Sequence, residues 1–410
     1  MVRAIGIAAA ALLFAQGCSV SEVITAEEST LVVASEPVDE VMLLDIGIVE
    51  FGDGVPEEND PKKTGVYEEI REAEARYLPY HLKTTLQGTG HWGAVRVVPS
   101  RAAFTDVIVG GSVEKSNGEF ITLVVEVDDA TGRHWFTREY ETQTGVSSYS
   151  TNRDRRLDPY QKVFNDIAND IYAHAQTLTR EEVARVRLVS EMQFFADMSP
   201  APYSEYIATD EDGITTLLRL PADGDPAVDR LRQIRERDRL VIDTLNDHYA
   251  NFYYGIAIPY HAWRKTSREE AVNYRQVRRS GTIRALMGVA VLAGSLAMDT
   301  NNSSSSSVRR TKRSLQAIGI TQGIENIFAG FTRRSEANLH AEAIRELSES
   351  FGSEAAPMLV TVQGETRRLT GTAAAQYEAW RRLLKQIYEA ETGFTEDVVE
   401  LGAPERAPET

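Results

Sequence analysis

The chain has 410 residues, of which 42% are hydrophobic and 26% charged, and its formal net charge is -17. That length predicts two or three domains, and that apolar content suffices for a packed core. So acidic a balance argues against nucleic acid as a partner, because phosphate binding needs a cationic face.

The first stretch in chain order, Met1 to Cys18, sets the address. Arg3 supplies a small basic start, Ile5 to Phe14 is an almost unbroken apolar run, and small residues surround Gln16 before Cys18. This is the pattern of a secretory signal, too short to span a bilayer. Ala15-Gln16-Gly17-Cys18 resembles the lipobox of bacterial lipoproteins, although Gln16 stands where a small or hydroxyl residue is usual. The resemblance implies removal of residues 1–17, diacylglycerol on the Cys18 sulfur and a fatty acid on its new amino group. Ser19 rather than Asp follows, which in enteric-type lipoproteins implies passage to the outer membrane. Loss of Arg3 moves the charge from -17 to -18. Cys18 is the single cysteine. Once acylated, it leaves no thiol for a disulfide, a cysteine-bearing zinc site or a nucleophile.

Residues 18–39 read as a tether, and 40–143 as the first domain. Ile46 to Phe51 alternates as a strand does. A helix follows over Tyr67 to Leu86, with Ile70, Ala73 and Tyr77 on one face, and Pro79 predicts a kink or short break in it. Trp92–Val98 and Val107–Val113 read as strands. Phe120–Val127 and Trp135–Tyr140 read as a hairpin around Asp128 to Arg133, and Asn117-Gly118 marks the turn before them. The order β-α-β-β-β-β predicts a small α/β sandwich with a largely antiparallel sheet. Residues 41–140 resemble the periplasmic α/β domain of assembly lipoproteins of the curli-channel, penicillin-binding-protein-activator and TolB amino-terminal type. The residues that carry the resemblance are the first strand, the long helix, Gly93 to Pro99, Asp106 to Val113, and Leu123 to Trp135. The resemblance implies contact with other envelope proteins rather than chemistry.

Residues 144–157, serine-rich and polar, read as a linker, and 158–300 as a helical region. Asp158-Pro159 predicts a helix start, with Phe164, Ile167, Ala168 and Ile171 at helical spacing. Thr179 and Glu182 form a capping box ahead of Val183, Val186 and Phe194. Pro200 to Pro221 reads as irregular with one short strand at Ile214 to Leu220. Asp225-Pro226 opens a charged helix, and Pro259 is expected to restart a second one. The aromatics Tyr249, Phe252, Tyr253, Tyr254, Tyr260 and Trp263 could stack on a glycan or partner helix, or form the core where those two helices cross.

Ile283–Met298 and Leu315–Phe331 then read as the arms of a helical hairpin, either buried or oligomer-forming, or in contact with a bilayer or pore. Residues 301–314 form a serine-rich, basic loop between them. Residues 315–393 continue as a helical region, in which Met358–Val362 and Thr366–Leu369 make a β-hairpin and Thr372 caps a closing helix. Residues 394–410 read as a disordered acidic tail.

Few residues stand in patterns that carry chemistry. His81, His91, His134, His174, His248, His261 and His340 form no pair at metal-ligand spacing. No nucleophile elbow, P-loop or dinucleotide fingerprint occurs. Asp128-Asp129 and Asp210-Glu211-Asp212-Gly213 read as solvated turns. No catalytic, cofactor or metal residue is expected, and Cys18 is the single candidate site. The expected fold is α+β: an N-terminal α/β sandwich followed by a mainly helical region with a short β-hairpin. The expected function is that of a non-enzymatic adaptor or assembly component of an envelope complex. It would be held by acylated Cys18 at the periplasmic face of the outer membrane, and its partners would be envelope proteins or copies of itself. The alternatives are a peptidoglycan- or lipid-acting enzyme or regulator, and a protein inserting through residues 283–331.

Overall fold

Residues 29–58, 66–150, 157–222, 224–297, 342–346, 349, 358–362 and 365–392 are described by a computed structural model of the chain. The fold is α+β, with a mixed five-stranded sheet and helices packed against it. Strands β1 (Ile46–Ile48), β2 (Val95–Val97), β3 (Val107–Ser116), β4 (Phe120–Asp129) and β5 (His134–Gln143) lie in the order β2-β1-β3-β4-β5. β1 is parallel to both its neighbours, and β3-β4-β5 is an antiparallel meander.

β1 is shorter than the expected Ile46–Phe51 strand, and all three of its residues are buried. A central strand covered on both sides needs no polar alternation, so a period-two signal is a poor guide there. Ile121, Leu123, Val125 and Val127 alternate on β4 and point into the core, as a half-buried strand requires. The turns follow their glycines: Gly118 has φ +77° between β3 and β4, and Gly132 has φ +79° between β4 and β5.

Helix α1 (Glu68–Thr89) packs on β1, β2 and β3, and α2 (Gln161–Ala175) packs on α1 and β5. The break expected at Pro79 does not occur, since α1 runs on through it. Proline has no N–H to give the carbonyl four residues back, which is that of Ala75. The Phe51 backbone N–H donates to that carbonyl instead, at 2.9 Å. The lost helical bond is thus replaced from the loop after β1.

The capping box is present: the Thr179 hydroxyl accepts from the Glu182 N–H, and Glu182 accepts from the Thr179 N–H. It opens α3 (Arg180–Met198). Two short strands, β6 (Ile207–Thr209) and β7 (Thr215–Leu217), replace the single strand expected at 214–220. α4 (Pro226–Ala297) is one helix of 72 residues. Pro259 lies inside it and does not restart a second helix. Here the carbonyl left without a helical donor belongs to Gly255, which is exposed, so water can satisfy it. β8 (Met358–Val362) pairs with β9 (Glu365–Leu369), and α5 (Ala373–Thr392) follows and packs on α4 and α3.

Two segments are more tightly fixed than their composition suggests. The second half of the 18–39 tether is docked. Asn165 Nδ2 donates to the Ser29 carbonyl, Asn169 Nδ2 to that of Thr30, and the Val32 N–H to Asn169 Oδ1. The first residues of the 144–157 linker are also packed. Thr144 is fully buried, and its hydroxyl and that of Tyr149 both donate to the Gly118 carbonyl. Short polar side chains bonding back to the backbone look like linker in composition alone.

No helix among the described residues is long and apolar enough to cross a membrane. The first arm of the expected hairpin, as far as Ala297, is the end of α4. Its second arm, like Cys18, His340 and the 301–314 and 394–410 segments, lies outside the described residues.

Candidate functional site

Two charged assemblies lie where α4 meets the rest of the chain. The first is a buried clamp. Arg264 on α4 is 1% exposed and donates from both terminal nitrogens to Asp158, Nη1 to Oδ1 at 2.8 Å and Nη2 to Oδ2 at 2.9 Å. Its guanidinium stands over the Tyr260 ring at 4.2 Å and the Tyr160 ring at 5.1 Å. Burial alone would raise the Asp158 carboxyl. The Arg264 cation outweighs that, and the group sits well below the usual carboxylate range. Asp158 also accepts from the Tyr160 N–H, so α2 starts at Gln161, two residues after the expected proline.

Beside the pair, Glu74 of α1 accepts from Ser116 Oγ at 2.5 Å and from the Tyr260 hydroxyl at 2.6 Å. The β3–β4 turn closes the clamp. An ideal Cβ on Gly118 would stand 2.0 Å from the Arg264 carbonyl oxygen, and Ser267 Oγ donates to the Asn117 carbonyl. Only glycine permits that approach of turn to helix.

The aromatic group lies on α4 and packs against α1, rather than at a crossing of two helices that meet at Pro259. Tyr249, Phe252, Tyr260 and Trp263 are buried, and Tyr253 stacks on Tyr77 with ring centres 4.5 Å apart. Tyr254 is 66% exposed. His81 sits under this group. Its Nε2 lies 3.0 Å from Gln161 Oε1 and its Nδ1 lies 2.8 Å from the Tyr253 hydroxyl. A carboxamide oxygen only accepts, so Nε2 carries the proton and Nδ1 accepts from Tyr253. Burial pushes the His81 pKa down and favours this neutral form.

The second assembly is a cleft between α4, α3 and the 101–106 loop. It encloses about 330 Å³ including its open mouth. Phe104 in that loop has φ +49°, a costly conformation for an aromatic residue. Its carbonyl is held by Ser190 Oγ at 2.8 Å and Arg235 Nη2 at 3.1 Å, and its ring packs edge-on against Phe194. Most cations around the cleft have carboxylate partners. Arg96 forks onto Asp243, Arg239 reaches Asp45 and Glu236, and Arg381 reaches buried Asp238. Arg235 has no carboxylate at ion-pair distance among the described residues. Burial, and then the neighbouring Arg239 cation, pull its pKa below the usual arginine value, whereas pairing with Asp243 raises that of Arg96 against its burial.

The remaining sequence candidates are dispersed. Glu126, Asp128 and His134 bring ligand atoms within 4.8 Å of one another. Arg101 already bridges the two carboxylates, at 3.2 and 3.0 Å, so a cation occupies the place a metal would take. Asp129, read as solvated, is buried and accepts from Trp135 Nε1. Asp210 closes its own exposed turn by accepting from the Asp212 and Ile214 N–H groups. His91 stacks on Tyr172 and His174 on Trp135. Arg264, Asp158 and Arg235 escape a reading by motif. The available signal for Arg264 is a lone cation beside Tyr260 and Trp263 on an apolar helix face.

No family model matches the chain, and no curated protein matches it. Among solved structures it is similar to a PelC dodecamer from Paraburkholderia phytofirmans. The two are 13% identical over 40% of this chain and 98% of that chain, with a TM-score of 0.18.

Proposed function

We propose that this protein is a non-enzymatic, lipid-anchored adaptor or assembly component of a bacterial envelope complex. Cys18 holds it at the periplasmic face of the outer membrane. The observation that carries the reading is α4. A straight helix of its 72 residues is about 108 Å long at 1.5 Å per residue. Its first part is fixed to the body by the Arg264–Asp158 clamp, and 29 residues (269 to 297) follow its last described bond to the sheet domain, from Arg268 to the Thr144 carbonyl. A helix clamped on one side and running well past its clamp suits a protein that reaches a partner rather than one that encloses a substrate.

The anchor sets the distance at which that reach is used. Ten residues (19 to 28) separate Cys18 from Ser29, where docking onto α2 begins. At about 3.5 Å per residue that is at most about 38 Å from acylated cysteine to body. Tethering at such a length raises the effective concentration of the adaptor near its partners. The test is Cys18→Ser in the cells of origin, with fractionation and labelling by a palmitate analogue. The label and the membrane fraction are both lost if Cys18 is acylated, and unchanged fractionation and labelling overturn the anchor. In-cell crosslinking through α4 tests the adaptor role, which a lone monomer with no captured envelope protein or second copy would overturn.

A further inference from the structure

The cleft beside Phe104 carries an inference independent of the anchor. We propose that it is a binding site for a single carboxylate, with Arg235 as the receiving cation and Arg239 at its side. Arg235 Nη2 spends its two N–H groups on the Phe104 carbonyl and Ser190 Oγ. Its Nε and Nη1 groups have no acceptor among the described residues and are open to solvent, so both can reach a ligand in the cleft.

Charge selects a monoanion. Among the charged side chains that line the cleft, Arg96 pairs with Asp243, Arg239 with Asp45 and Glu236, and Asp238 with Arg381. Arg235 is left as the one lining arginine without a carboxylate at ion-pair distance among the described residues. Size selects a small group, because the space that the centre of a water-sized sphere can reach in the cleft is only about 20 Å³. The strained Phe104 backbone is the third observation. Its carbonyl orients the Arg235 fork, and strain retained beside a charged cleft is characteristic of ligand sites. A carboxylate meets these limits, carried either by a free small acid or by the acidic side chain of a partner chain. The two sources differ in what lies outside the mouth.

The experiment titrates the full chain at constant ionic strength, with sodium chloride as the reference salt. One arm uses sodium acetate and the other a short peptide, blocked at both ends, with one aspartate. Arginine Nε–H resonances report binding. The expected result is saturable binding with a shift at Arg235, weakened by about tenfold or more in R235Q, the scale of one charge-assisted hydrogen bond. R239Q weakens it less, and R138Q on β5 leaves it unchanged. Tighter binding of the peptide than of acetate assigns the site to a partner side chain, and equal binding assigns it to a free acid. The proposal is overturned if neither ligand saturates beyond chloride, or if R235Q binds as the unaltered chain does. Should R235Q fail to fold, R239Q decides, and unchanged affinity there overturns the assignment.

Discussion

Arg264 and Asp158 face each other across 106 positions of sequence as a fully enclosed, two-pronged ion pair. Such a pair is weak evidence for net stabilisation, because both charges leave water. Removing one partner is a different matter, since the survivor is then a buried, uncompensated charge. Asp158→Ala is expected to destabilise the fold by roughly 3–5 kcal/mol, and the double variant Asp158→Leu, Arg264→Met by less. Urea unfolding measures both. Equal losses in the single and double variants would show that the pair itself supplies the stability.

Asp158 also fixes an acid limit. Its folded pKa is depressed, so its contribution is complete above the unfolded value of about 3.9 and declines as pH falls below it. Unfolding free energy plotted against pH should drop less steeply below about pH 4 in Asp158→Asn than in the unaltered chain. Parallel curves would assign the acid limit to other carboxylates.

His81 acts in a higher window with the same sign. Its folded pKa lies below the unfolded value of about 6.5, because burial disfavours the cation. Stability that depends on neutral His81 is complete above about pH 6.5 and falls as pH drops toward the folded value. His91, His174 and His248 shift in the same direction and add to the slope. His81→Asn should flatten part of the decline between about pH 6.5 and 5. An unaltered slope would mean that His81 does not titrate on unfolding in this range.

Gly118→Ala should lower the melting temperature, because the added carbon meets the Arg264 carbonyl and the φ of +77° disfavours an L side chain. A loss of roughly 1–3 kcal/mol is expected. Gly88→Ala on α1, where an added Cβ meets nothing within 4 Å, should instead gain about 0.5–1 kcal/mol. Differential scanning calorimetry separates the two, and a harmless Gly118→Ala would mean that the turn does not rest on α4.

Pro79→Ala tests the replacement bond in α1. An alanine inside a helix normally gains about 3 kcal/mol over proline. Here the new N–H competes with that of Phe51 for the Ala75 carbonyl, and a gain under about 1 kcal/mol is expected. A gain near the full propensity difference would show that the Phe51 contact is dispensable.

Local signals in the sequence determined much of this protein. The strands at 107–116, 120–129 and 134–143, their glycine turns, the Thr179–Glu182 box and the hairpin at 358–369 rest on contacts between near neighbours. Residue type and spacing are enough for those. The continuity of α1 and α4 through their prolines was decided elsewhere. For Pro79 it needed a donor from Phe51, 24 positions before Ala75 (75 − 51), and for Pro259 an exposed carbonyl. Nor could spacing bring Asp158 to Arg264, Gly118 to α4, or Phe104 to Arg235. Each of those meetings is set by how helices lie on a sheet, and a buried charge or a strained loop shows what it is for only once its surroundings are in place.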